Sequence, residues 1–182
     1  ELKELFSNIF PELINLNNIK RLDKILNYTD LNLETLLSIL LIDGKDNHEY
    51  FAHKYNISNK TRENLKLLAT NYKQLNENKF FFKKELLKNL YYHGTKHLIA
   101  LNILNFVFNS KMQVENFLTI LKNIHKSKIP ELTINGEYLI KRGMKEGSTL
   151  GKVLKLIEQE WLNNDFKISE GRVLELIKNN NN

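Results

Sequence analysis

The sequence predicts an all-α protein: a multi-helix body followed by a small helical tail module built around a glycine-turn helical hairpin. Three observations carry this expectation. The 182 residues include only two prolines and seven glycines, too few for the frequent turns of a sandwich or barrel. Nearly every apolar run repeats at three or four residues rather than two, which is the period of a helix face. Five of the seven glycines (Gly136, Gly143, Gly147, Gly151 and Gly171) lie beyond Pro130, so the texture of the chain changes near residues 127–130. That change divides the chain into a body, residues 1–128, and a tail, residues 129–178. The Asn-rich end, residues 179–182, is expected to be disordered.

The elements follow in order. The chain opens on Glu1 inside an apolar pattern of Leu2, Leu5, Phe6 and Ile9 with no cap before it, which reads as a cut from a longer protein. Pro11 suits the first turn of a helix with apolar positions Leu13, Leu16, Ile19, Leu22, Ile25 and Leu26, ending near Asn27. Asp30 can cap the next, whose face is Leu33, Leu36, Leu37, Leu40 and Leu41, with Gly44 placed to end it. Tyr50, Phe51 and Tyr55 mark a short aromatic helix. Ser58 can cap a long one through Leu65, Leu68, Tyr72 and Leu75, closed by the polar stretch from Asn76 to Lys79. Residues 80–92 and 95–109 read as an antiparallel pair broken at Gly94, and Gln113 to His125 as another amphipathic helix. In the tail, a short helix ends at Gly143, suited to a left-handed C′ position. A second starts at Ser148 with Leu150, Val153, Leu154, Ile157 and Trp161 on one face.

Composition excludes several chemistries. Without cysteine there are no disulfides, thiolate metal sites or cysteine nucleophiles. No run approaches the roughly 18 apolar residues of a membrane span, and the first residues lack the basic start of a secretion signal, so an intracellular, cytoplasmic protein with no membrane partner is expected. His93 and His97 are four apart, but Gly94 lies between them and no Glu follows His93, so they read as helix-end histidines rather than metal ligands. His48 and His53, five apart, do not share a helix face. Phe80, Phe81 and Phe82 read as core rather than as a base-stacking platform. No catalytic set, phosphate loop or clustered carboxylate pair is present.

The net charge of +6 makes anionic partners plausible, although an Asn-, Lys- and Ile-rich composition also follows from codon bias. Position is more informative. Lys122, Lys126, Lys128, Lys141, Arg142, Lys145, Lys152 and Lys155 face only Glu131, Glu137 and Glu146 across that stretch. Within it, Gly151 falls in the first turn of a helix, where glycine costs up to about 1 kcal/mol relative to alanine. Something is expected to approach closely there. Either a phosphate meets the free amides and positive dipole end of the helix, or another helix packs against it.

The tail carries an ordered pattern: Ile129-Pro-Glu-Leu-Thr-Ile-Asn-Gly136, Tyr138-Leu-Ile140, Arg142-Gly-Met-Lys-Glu-Gly147, Leu150-Gly-Lys-Val-Leu154 and Glu160-Trp-Leu-Asn-Asn-Asp-Phe166. Together these resemble the C-terminal tail of the tRNA nucleotidyltransferase and poly(A) polymerase family. Ile9-Phe-Pro-Glu-Leu13 is similar to the passage from that family's neck into its helical body.

The resemblance implies a parent enzyme that transfers CMP and AMP from CTP and ATP, with Mg2+, to RNA 3′ ends, as a CCA-adding or polyadenylating nucleotidyltransferase. The family's Gly-Gly-x-Val-Arg-Asp motif, Asp-x-Asp pair and Glu-Asp-x-x-Arg template do not occur here. The chain itself is therefore expected to hold no cofactor, to be inactive alone, and to partner a missing catalytic head and neck. Its own task would be to bind tRNA through the acceptor stem and T-arm, with Lys141, Arg142, Gly143, Lys145, Gly147, Ser148, Thr149, Gly151 and Lys152 as the RNA-binding set. Two alternatives stay open: a stand-alone nucleic-acid-binding module of helix-hairpin-helix type, and a structural helical adaptor.

Overall fold

A computed structural model describes the backbone of residues 2–180 and the side chains of residues 4–180. Among these residues there are ten α-helices, one short 3-10 turn and no strand: α1 Leu2–Ile9, α2 Ile19–Leu22, α3 Leu33–Leu41, α4 Asn47–Lys54, α5 Asn59–Glu77, α6 Leu86–Phe108, α7 Val114–Lys126, α8 Gly136–Lys141, α9 Ser148–Asn163 and α10 Glu170–Asn180. The all-α expectation is met. The chain divides into two compact units, residues 1–127 and 128–182.

In the first unit α6 is the central element, flanked by α2, α3, α5 and α7. Its Leu98, Leu101, Leu104 and Phe106 are fully or almost fully buried. Two polar devices fix its C-terminal end. Asn102, wholly buried, donates from Nδ2 to the Phe117 carbonyl at 3.0 Å and so ties α6 to α7, beside the Phe106–Phe117 ring contact. The Arg21 guanidinium lies 4.5 Å from the Phe106 ring centroid and donates to the carbonyls of Phe106, Asn109 and Met112 at 3.0–3.1 Å. A helix C-terminus carries unsatisfied carbonyls and the negative end of its dipole, so one cation satisfies several acceptors at once.

Four details of the first unit differ from the expectations. The helix after Pro11 is not continuous: turns lead into a 3-10 turn at Leu16–Asn18 and then the single turn of α2. The side chains there are held by other elements. Asn15 donates to the Ile42 carbonyl, and the buried Glu12 carboxylate accepts from Lys54 Nζ at 2.6 Å and Tyr55 Oη at 3.2 Å. Asn32, not Asp30, caps α3, its Oδ1 accepting from Thr35 N–H at 2.8 Å. Phe80–Phe82 precede α6 in a turn, with Phe81 and Phe82 in the core and Phe80 exposed. Gly94, at φ 77° and ψ 165°, kinks α6 instead of separating an antiparallel pair, because one residue is too little chain to reverse a helix. Ser58 caps α5 as expected, with Oγ accepting from Thr61 N–H.

The second unit has its own core of Leu139, Met144, Val153, Ile157, Val173, Leu176 and Ile177, contributed by α8, α9, α10 and the α8–α9 turn. Asn179 and Asn180 continue α10 and are helical where disorder was expected. Asn181 and Asn182 lie outside the described residues.

Candidate nucleic-acid interface

The candidate site is the α8–α9 hairpin. Asn135 opens α8 by accepting from Tyr138 N–H at 2.9 Å. Its other end closes in a Schellman arrangement: Gly143 N–H donates to the Ile140 carbonyl at 2.9 Å and Met144 N–H to the Leu139 carbonyl at 3.1 Å. Gly143 takes φ +94° at C′, the left-handed role its position predicts, and Leu139 and Met144 supply the apolar contact that accompanies the motif. The turn then reaches Gly147, at φ +144°, which is the N-cap of α9. Ser148 is thus the first helical residue rather than the cap, and no side chain caps this end.

The consequence is electrostatic. The amides of Ser148, Thr149 and Leu150 belong to the first turn, which has no intrahelical acceptors, and no carboxylate lies within that turn. Ser148, Thr149, Gly151, Lys145 and Lys152 are all exposed there, and Lys141 is exposed at the end of α8. Val153 and Ile157, one and two turns further on, bury the opposite face of α9. The apolar stripe therefore aims the amide end and its lysines at solvent.

Arg142 is placed differently from the other nominated cations. Its guanidinium lies 3.6 Å from the Tyr138 ring centroid and pairs with the Glu170 carboxylate at the start of α10. That bond holds Glu170 below the ordinary carboxylate range. Arg142 is thus a brace between α8 and α10 as well as a surface cation. The Tyr138 contact was legible as an i, i+4 pair on one helix face, whereas Glu170, 28 residues away, had no local signal.

Among the described residues nothing approaches Gly151 closely. A Cβ built there would meet no atom within 4 Å, so packing against another helix of this structure does not explain the glycine. Gly147 and Gly143 are likewise open to solvent at that position, but their positive φ already accounts for them.

His93 and His97 both lie against the buried Asn71. Asn71 Nδ2 is 2.9 Å from His97 Nε2, and burial with His93 alongside pushes the His97 pKa down to about 4. His48 is buried and His53 exposed, as five-residue spacing implies. Among the described residues no group of three or more His, Asp or Glu is placed to hold a metal ion. No helix among those residues is long and apolar enough to cross a membrane.

The family model of tRNA nucleotidyltransferase domain 2 matches residues 31–176, from the loop before α3 into α10. No curated protein and no solved structure matches the chain. The match spans well over half of the chain and includes parts of both helical units, and on that ground the chain belongs to the tRNA nucleotidyltransferase family.

Proposed function

We propose that this chain is the tRNA-gripping part of a nucleotidyltransferase, and that the α8–α9 hairpin is its phosphate contact. The observation that supports this most is the uncapped first turn of α9, exposed together with Lys141, Lys145 and Lys152 on a unit whose family acts on tRNA. An acceptor stem and T-arm form a continuous A-form helix, whose deep major groove hides the bases. A protein that must accept every tRNA is served by phosphate and 2′-hydroxyl contacts, which report shape. Ser148, Thr149 and Leu150 amides would receive one phosphate at the positive end of α9, with the Ser148 and Thr149 hydroxyls as further donors. Lys141, Lys145 and Lys152 would neutralise its neighbours along the strand. Gly151 would leave room for the backbone to approach, and Arg142, braced by Glu170, would set the angle of the turn.

In this reading CMP and AMP transfer, whether it builds CCA or poly(A), belongs to metal-binding carboxylates outside this chain. No step of it is assigned to these residues, and the chain alone should elongate no RNA. We place its work in the cytoplasm, with tRNA as partner.

The test is the salt dependence of binding to an acceptor-stem/T-arm minihelix. Each phosphate neutralised contributes a slope near −0.9 in log K against log salt concentration. Reversing Lys141, Lys145 and Lys152 to Glu should flatten the slope by about two to three, on that same counterion scale. Reversing Lys20, Lys24 and Lys111, exposed on the first unit, should change it much less. An unaltered slope in the hairpin variant would remove the hairpin from the interface.

A further inference from the structure

The turn between α5 and α6 presents an aromatic ring among cations, and nothing in the fold or in the hairpin uses it. Phe81 and Phe82 are 2% and 7% exposed, whereas Phe80 is 42% exposed. Its outward position is held firmly. Phe80 N–H donates to Asn78 Oδ1 at 2.9 Å, Asn78 Nδ2 donates to Glu85 Oε2 at 2.7 Å, and Glu85 N–H donates to the Phe80 carbonyl at 3.2 Å. The ring therefore stands on a backbone pinned by these bonds and by two buried phenylalanines. Lys79 Nζ and Lys84 Nζ lie 5.8 and 5.5 Å from its centroid, and Lys83 is exposed beside them. The turn's own carboxylate, Glu85, is engaged by Asn78.

We propose that Phe80, with Lys79, Lys83 and Lys84, is a stacking platform for an unpaired nucleotide of RNA. Every base offers a π-face, and a strand carries phosphates on either side of each base, so a ring flanked by ammonium groups matches both at once. The lysines sit near the outer limit of a cation–π contact and can turn to phosphate as a base takes the ring face. A protein partner fits less well, because covering one isolated ring would also desolvate three ammonium groups. The choice of RNA rests on the family reading, while the duplex grip assigned to the hairpin is a separate claim.

The experiment measures binding of the 182-residue chain to a fluorescein-labelled oligoadenylate of about twelve nucleotides and to the minihelix, in parallel. Phe80→Ala should weaken oligoadenylate binding about tenfold, within the range that losing one base–aromatic stack produces, and leave the minihelix within about twofold. Phe80→Trp should retain oligoadenylate affinity, with its fluorescence quenched on binding. Because Phe80 is exposed, both variants should keep the parent melting temperature. Equal oligoadenylate affinity of parent and Phe80→Ala, no binding by the parent, or equal competition by polyglutamate would each overturn the proposal. The two claims fail separately: the Lys141, Lys145 and Lys152 reversals read the hairpin on the minihelix, whereas Phe80→Ala reads the platform on the single strand.

Discussion

Gly151→Ala separates a residue kept for folding from one kept for binding. Gly151 is the fourth residue of α9, its φ is not in the left-handed region, and an added Cβ meets nothing within 4 Å. The methyl group is therefore accommodated without strain, and alanine should stabilise the unit by about 0.5–1 kcal/mol through helix propensity. Over a chain of this size that is a rise of roughly 1–4 °C in Tm. Binding should move the other way. A methyl at that Cα would displace a phosphate from about 4 to about 5.5 Å from the half-charge at the helix end, which at an effective dielectric of 20 removes about 0.5 kcal/mol. Stretching one charge-assisted N–H···O bond removes about 1 kcal/mol more. The sum is a roughly tenfold weaker Kd for the minihelix. Differential scanning fluorimetry and a fluorescence-anisotropy titration at one fixed salt concentration give the two readouts. A variant that is more stable and binds less well cannot be explained by misfolding. Higher stability with unchanged Kd would refute the phosphate approach, and lower stability would refute the structural reading of Gly151 itself.

Two further predictions concern stability and pH. The Lys54 ammonium, and secondarily Tyr55, hold the Glu12 carboxyl below its usual range. Its contribution is thus present above the unfolded carboxylate pKa of about 4.3 and is lost as pH falls through the lower folded value. Glu12→Gln should lower stability at pH 7 by about 1–2 kcal/mol, discounted because Lys54 is partly exposed, and flatten the acid limb of a urea-midpoint profile. An acid limb identical to the parent's would contradict this. His97, half-buried with its pKa near 4, acts at higher pH. Between that value and about 6.5 the unfolded chain binds more protons than the folded one, so stability should rise with pH across this window. His97→Gln should shrink that rise in urea midpoints measured at pH 5 and pH 7, and an unchanged difference would show that the ring is protonated in the folded state.

The limits of sequence reading are visible at particular residues. Periodicity located α5, α7 and the α8–α9 hairpin well because each buries one apolar stripe, and Ser58 and Gly143 mark a start and a stop by local chemistry. It failed between Pro11 and Asn27, where the apolar spacing is helical but the polar side chains are recruited from far away. Glu12 is bound by Lys54, Asn15 by Ile42, and Arg21 by the end of α6, at separations of 27 residues or more. No local pattern announces such partners. Phe80–Phe82 failed for another reason: three like residues in a turn point in different directions, and only the Asn78–Glu85 bonds decide which one faces solvent.

Several of the residues that made the tail recognisable stop helices. Gly143 and Met144 close α8, and the Trp…Asp-Phe sequence closes α9 by the same device. Asp165 and Phe166 adopt φ of 50° and 61°, Phe166 N–H donates to the Trp161 carbonyl at 2.8 Å, and the two rings meet edge to face at 4.8 Å. A left-handed aspartate costs what a glycine would not, and the Trp161–Phe166 contact offsets it. These positions demand particular residue types because backbone geometry does, which is why they form an ordered pattern over Pro130 to Phe166. The lysines face no such demand. On the proposed reading, Lys141, Lys145 and Lys152 would need only to be cations within reach of a strand of phosphates, and several neighbouring positions would serve equally well. A phosphate grip of this kind would therefore be legible through the scaffold that aims it rather than through the side chains that make it. At Gly151 the two requirements separate: helix propensity favours alanine, an added Cβ would meet nothing within 4 Å, and the sequence has glycine.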